Sequence, residues 1–257
     1  MKIIESYNMD ESFLYDKSYM FIKGYATALN LNYTLKALPL ARKFHNGQYR
    51  KNEIDIDGKK YKLPYVLHVL KVCSTIISLH LPLETRDLDI LLSSALLHDS
   101  LEDAQQYFQH GSTDLMTVYG FPREVFDVVT LVSKRSGATE PELDDYFNKI
   151  KKNRLALIVK LADRSHNVED LYVMNIEKLH KYVEETRTYL YPLATYGKAT
   201  YPEFSNGLTI LKNKIRSLTE EADSIIVIYE KEIDSLKDII KAKDKEIADL
   251  KKQLKDK

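Results

Sequence analysis

Three features of the 257-residue sequence predict a mainly helical protein. Apolar residues recur at three- and four-residue spacing in most segments. One short stretch, Glu53 to Leu63, alternates instead as a strand pair does. From Leu208 onward a heptad pattern takes over.

A first helix is expected over Glu11 to Leu29, where Phe13, Leu14, Met20, Phe21, Tyr25 and Leu29 are loosely periodic. It reads as packing against the core. Tyr33 to His45 is the next, with Leu35, Leu38, Ala41 and His45 in step and Asn46-Gly47 as its stop. Gln48 to Asn52 reads as a loop. Its adjacent cations Arg50 and Lys51 can meet a phosphate or stack on a base, or be merely solvated. Ile54, Ile56, Tyr61 and Leu63 then alternate with polar residues around Asp57-Gly58, the turn of a hairpin. Asp55-x-Asp57-Gly58 lacks the third acid and the closing Glu of a calcium loop. Pro64 suits the first turn of a helix over Pro64 to Cys73. His68 faces inward there, and on its own it reads as a core histidine.

A continuous buried helix is expected from about Glu84 to Tyr107. Along Leu96-Leu97-His98-Asp99-Ser100-Leu101-Glu102-Asp103, the four ionisable groups His98, Asp99, Glu102 and Asp103 share one arc of roughly 140°. Burying them is costly unless something pairs them. A divalent cation answers that need, because His nitrogen and Asp oxygen are standard ligands for Mn, Fe or Zn.

Arg123 to Ser133 reads as an amphipathic helix with Val125, Val128, Val129 and Val132 inward. Ser136 to Glu142 reads as a polar loop, and a further helix starts at Asp144. Arg154 to Asn167 is a nearly unbroken apolar helix that ends with Asp163 and Asn167 on one face. A carboxylate at Asp163 also needs a partner. One cation satisfies it together with His98 and Asp99 if the two helices lie side by side. Thr188 to Tyr196 is helical, and Tyr201-Pro202 breaks the chain. Leu208, Leu211, Ile215, Leu218 and Ala222 then open a seam. After a four-residue phase shift, Ile226, Tyr229, Ile233, Leu236, Ile240, Lys243, Ile247, Leu250 and Leu254 continue it. This is a coiled coil of about six heptads, expected to join copies of the chain, most simply as a dimer.

Lysines and arginines (38) equal aspartates and glutamates (38), which argues against a nucleic-acid polymer or a polybasic membrane surface as partner. The single cysteine, Cys73, rules out an internal disulfide and any Cys-based zinc cluster. No signal peptide and no apolar run of about 18 residues is visible, so a cytoplasmic protein without a membrane span is expected.

Four ordered motifs, His45-x-Gly47-Gln48-x-Arg50-Lys51, Pro64-Tyr65-Val66-x-His68, Leu96-Leu97-His98-Asp99-x-x-Glu102-Asp103 and Val159-Lys160-Leu161-Ala162-Asp163-Arg164-x-His166-Asn167, give the chain its family likeness. It resembles the HD superfamily of metal-dependent phosphohydrolases, and within it the hydrolase domain of the Rel/SpoT alarmone enzymes and their small single-domain relatives. Tyr191-Pro192-Leu193-Ala194 resembles a further block of the bifunctional enzymes.

The resemblance implies an all-α HD-domain bundle, to which the alternating stretch adds a small β-hairpin insertion and the heptads a C-terminal coiled-coil helix. Together these divide the chain into an N-terminal helical extension (1–32), the hydrolase domain (33–205) and the coiled coil (206–257). His68, His98, Asp99 and Asp163 are implied to hold one metal ion, Mn²⁺ by family habit, with Fe²⁺ or Zn²⁺ as alternatives. Glu102 and Asp103 correspond to the acids that handle the attacking water. Arg50, Lys51, Arg164 and Asn167 correspond to nucleotide contacts. The implied reaction removes the 3′ pyrophosphate of (p)ppGpp. The same chemistry on NADPH or a deoxynucleotide, or an inactive nucleotide sensor assembled by its coiled coil, are the alternatives. The segment between Lys51 and Pro64 is longer than in most relatives, beside the base-binding cations, and can cap the pocket or change the base accepted. Glu169 stands where many relatives carry Arg.

Overall fold

A computed structural model describes residues 3–56, 59–134, 137–167 and 174–255, with side chains from 16–50, 62–134, 137–167 and 174–253. Asp57 and Gly58, Glu169 and the side chain of Lys51 lie outside the described residues. Among the described residues the fold is all-α apart from one hairpin. Helix α1 (Ile3–Ala28) is longer than expected, and its Ile22 and Ala26 are buried in the main core. Helix α2 (Asn32–Phe44) has no cap from its own N-terminal residue. Asp89, a distant residue, supplies one: its carboxylate accepts from the backbone N–H groups of Tyr33 (2.9 Å) and Thr34 (2.7 Å) and from the Thr34 hydroxyl (2.8 Å).

Strands β1 (Tyr49–Ile56) and β2 (Lys59–Pro64) pair antiparallel, with Tyr49 opposite Pro64. Two expectations are corrected here. Arg50 lies on a strand rather than in a solvated loop. Pro64 closes β2 instead of opening a helix, so α3 (Val66–Ser78) starts two residues later.

Helix α4 (Thr85–Leu97) is buried without interruption from Asp89 to Leu97. The long helix expected through Tyr107 is broken after Leu97. The His98 ring nitrogen Nδ1 meets the Ala95 carbonyl (2.9 Å), and the Ser100 hydroxyl donates to the Leu97 carbonyl (2.6 Å). Both carbonyls would otherwise serve the next helical turn, so local side chains compete with the backbone ladder. The chain bends at Asp99 (ψ −4°) and resumes as the short α5 (Ser100–Asp103) and a 3₁₀ turn.

A short α6 (Asp114–Thr117) leads to α7 (Arg123–Val132), which buries its four valines as expected. Helix α8 (Glu140–Lys151) begins inside the segment read as a loop. Thr139 and Glu142 form a capping box there: the Glu142 carboxylate accepts from the Thr139 N–H and hydroxyl, both at 2.8 Å. Helix α9 (Arg154–Asn167) is as expected. Helix α10 (Ile176–Glu185) is not foreseen from the sequence; it passes through a π-turn (Thr186–Leu190) into α11 (Tyr191–Thr200).

Helix α12 (Ser205–Lys255) runs unbroken for 51 residues. Leu208, Leu211 and Ile215 share the main core, and Ala222 and Ile226 form a second cluster with Leu179 and Val183 of α10. The expected coiled-coil seam is therefore divided: up to Ile226 it is covered by the chain's own bundle. From Val227 onward every described side chain of α12 is exposed. Gly207 permits the close start of this helix, since a Cβ there would meet Leu81 at 2.6 Å. No helix among the described residues is long and apolar enough to cross a membrane.

Candidate metal centre

Helices α3, α4 and α9 pack against one another and aim polar side chains into one buried point. His68 comes from α3, His98 and Asp99 from the bend after α4, and Asp163 from the last turn of α9. His68 Nε2 lies 3.3 Å from Asp99 Oδ2 and 3.2 Å from Asp163 Oδ1. His98 Nε2 lies 3.0 Å and 3.6 Å from the same two atoms. His68, His98 and Asp163 each offer a ligand atom within 4.8 Å of the others, a grouping able to hold a metal ion. All three are buried, and Asp99 is 16% exposed at its side chain.

The donor set fits a cation. Despite these short distances, both buried Nε2 atoms lack a directed hydrogen bond. A nitrogen in that position, facing two carboxylates, is a ligand without its ion or a proton carrier. Without an ion the cluster draws a proton. Burial opposes the charged form of His98, but Asp99 and Asp163 override it and raise its pKa well above 6.5. Burial likewise works against both carboxylates. His98 and His68 nevertheless hold Asp99 well below the usual carboxylate range, and Lys160 with the two histidines does the same for Asp163. A positive charge at this point is what the surrounding groups demand.

The groups behind the four side chains fix their aim. His98 Nδ1 faces the Ala95 carbonyl, so its proton sits there and Nε2 is left bare. The Tyr65 hydroxyl donates to Asp99 Oδ2 (2.8 Å). The Lys160 ammonium reaches Asp163 Oδ2 (3.1 Å), and Asn167 Nδ2 donates to Asp163 Oδ1. His68 Nδ1 and His166 Nδ1 are 2.6 Å apart. With a cation on His68 Nε2, the shared hydrogen belongs to His68 and His166 accepts it. Burial, then His68 and Arg50, lower the His166 pKa to about 2, which keeps that ring a neutral acceptor. Replacing His166 with Phe keeps the ring and removes the acceptor. Mn²⁺ affinity, read by calorimetric titration, is expected to fall about 10- to 100-fold, with the fold retained.

Around this point the expected nucleotide residues separate. Arg50 lies at the rim: Nη1 and Nη2 both donate to Asn167 Oδ1 at 3.4 Å, and the guanidinium sits 5.6 Å from the Tyr65 ring centre. Asn167 thus links the rim to Asp163. Arg164 turns the other way. It is 5% exposed, its guanidinium bonds Glu185 and Thr186, and it stacks on the Tyr182 ring at 3.9 Å. The Arg164 guanidinium, expected as a substrate contact, is engaged inside the bundle and not at the rim.

Glu102 and Asp103 sit on α5 beside the centre. Glu102 Oε1 accepts from the Lys134 N–H (2.5 Å), and Gln48 Nε2 donates to the Asp103 carbonyl (2.5 Å). Burial first, then the Asp99 charge, raise the pKa of both carboxyls. The sequence reading assigned no role to Tyr65, Lys160, His166 or His45. His45 is buried, takes Gln48 on Nδ1 (2.8 Å) and leaves Nε2 without a partner beside Tyr65. All four lie inside the quoted motifs, and that is the signal that could have found them.

The described helices thus carry a buried His/His/Asp grouping able to hold a metal ion. Comparison with known proteins gives what the chain is similar to. The chain is 28% identical over 189 residues, 71% of its length, to a guanosine-3′,5′-bis(diphosphate) 3′-pyrophosphohydrolase of Haemophilus influenzae. It is 25% identical over 238 residues, 90% of its length, to the bifunctional (p)ppGpp synthase/hydrolase SpoT of Escherichia coli. It is 30% identical over 162 residues, 62% of its length, to a GTP pyrophosphokinase of Streptomyces antibioticus. The chain spans 24%, 29% and 17% of these relatives, respectively. No family model matches it. The chain is thus similar, at 25–30% identity, to part of these Rel/SpoT-type (p)ppGpp enzymes.

Proposed function

We propose that this chain is a Mn²⁺-dependent hydrolase that removes the 3′ pyrophosphate of (p)ppGpp. The observation that carries this reading is the convergence of His68, His98, Asp99 and Asp163 from three helices on one point. The names of the relatives support the substrate. When bound there, a divalent cation supplies Lewis acidity, acidifying water and offsetting phosphoryl charge.

The chain's own residues do the rest. Glu102 and Asp103, with raised pKa values, orient the attacking water and accept its proton near neutral pH. Water oxygen joins the phosphorus carried on the ribose O3′, the O3′–P bond breaks, and O3′ takes up a proton as pyrophosphate departs. Arg50 at the rim meets the guanine or its phosphates, Lys51 follows it on β1, and Asn167 meets the ribose. The longer hairpin stands next to Arg50 and caps this side of the pocket. The exposed half of α12 joins two copies of the chain. With a nucleotide substrate and no disulfide, the protein works in the cytoplasm.

Purified protein with Mn²⁺ is expected to convert ppGpp to GDP and pyrophosphate. Asp99→Ala is expected to lose both that activity and bound metal. If ppGpp stays intact while NADPH or dGTP is consumed, the alarmone reading fails. If Asp99→Ala keeps its activity with no metal bound, metal-dependent hydrolysis fails with it.

A further inference from the structure

The free half of α12 presents Tyr229, Ile233, Leu236, Ile240, Ile247 and Leu250 along one stripe, each 37–60% exposed. The same stripe is covered at Ile226 by α10 of the chain's own bundle. Beyond that point none of the described residues covers it. Resting on the reading that α12 joins two copies, we infer that the two helices run antiparallel, in one register centred between residues 241 and 242.

Lys243 decides the direction. It occupies a seam position, between Ile240 and Ile247. In a parallel pair it would face Lys243 of the second copy, two ammonium groups in one apolar layer. In the antiparallel pair it faces Ile240 of the second copy. Its ammonium is drawn to the side by Glu246, 2.8 Å away on its own helix, and its stem covers the isoleucine.

The flanking charges decide the register. Glu230, Lys237, Asp244 and Lys251 line one edge of the stripe with alternating sign. An antiparallel pair brings this edge against itself. With the centre between 241 and 242, Lys237 meets Asp244 of the second copy and Glu230 meets its Lys251, each twice by symmetry. Glu230 also faces His180 of its own α10 at 3.2 Å, so only its outer side is open to that lysine. Sliding one heptad in one direction sets Lys237 against Lys237 and Glu230 against Asp244. Sliding one heptad in the other sets Asp244 against Asp244 and Lys237 against Lys251. Like charges meet in both slips, so each is disfavoured. Parallel helices also have attractive edge pairs, Glu232 with Lys237 and Glu246 with Lys251, so charge alone does not set direction; Lys243 does.

The test uses the full chain with Leu236→Cys or Ile247→Cys, two exposed positions that the register brings together. The native Cys73 is buried and silent, and the unsubstituted chain serves as its control. Under mild oxidation, an exchanged equimolar mixture of the two variants is expected to give several-fold more disulfide-linked dimer than either alone. Efficient crosslinking of each variant to itself would establish a parallel pair and overturn the inference while sparing self-association. A dimer by light scattering with no crosslink in any sample would overturn the register. A monomer by light scattering at all concentrations would overturn self-association itself, leaving the hydrolase reading untouched.

Discussion

Replacing Asp163 with Ala is expected to remove bound Mn²⁺ and to lower hydrolysis by roughly a thousandfold or more. Asp163 is the one candidate ligand that α9 contributes among the described residues, and it lies 3.2 Å from His68 Nε2 and 3.6 Å from His98 Nε2. Its loss also strands Lys160, whose side chain is 12% exposed and whose ammonium reaches Asp163 Oδ2. Leaving one charge of a buried pair alone costs roughly 3–5 kcal/mol. Lys160 keeps a contact with the Tyr146 ring, 5.9 Å to its centre, which favours the lower end of that range. The two losses separate in the double variant Asp163→Ala with Lys160→Met, where thermal stability should recover and metal binding should not. Metal analysis beside thermal unfolding checks this. If the single variant binds Mn²⁺ as tightly as the parent chain, Asp163 is no ligand.

Replacing Arg164 with Ala is expected to act on the fold rather than on the substrate. The guanidinium is buried, bonded to Glu185 and Thr186 and stacked on Tyr182, so it holds α9 to the α10 segment. Breaking this pair is expected to cost on the order of 3 kcal/mol, a drop of about 10 °C in melting temperature. The cost stays moderate because Glu185 keeps Lys134 at 2.7 Å. Thermal unfolding and steady-state kinetics together test the assignment. A folded variant with an unchanged melting temperature and a raised KM for ppGpp would return Arg164 to the substrate.

The contrast between Asp163 and Arg164 shows how far a sequence carries a site. Neighbours on a helix stand about 100° apart, so one residue of a motif meets the centre while the next turns into the bundle. His98, Asp99 and Asp163 stand out in the sequence because ionisable groups interrupt apolar helices. His68 was legible only by family likeness, since an inward histidine has no signature of its own. The bend after Leu97 was not legible, because the hydroxyl of Ser100 and the ring of His98 compete with a backbone ladder that the apolar pattern favours. The start of α8 was written in Thr139-x-x-Glu142 and was obscured by Gly137 and Pro141. The phase shift near Ala222 in α12 proved informative: the seam leaves the bundle a turn later, at Ile226. A heptad pattern does not distinguish a partner helix from the chain's own core.

The central claim is that one divalent ion sits among His68, His98, Asp99 and Asp163. The direct measurement is an anomalous difference map from crystals grown with Mn²⁺. One peak per chain is expected, within about 2.0–2.3 Å of His68 Nε2, His98 Nε2 and an oxygen of each aspartate. A map with no peak among these atoms, or with Mn²⁺ bound only elsewhere on the chain, would contradict it.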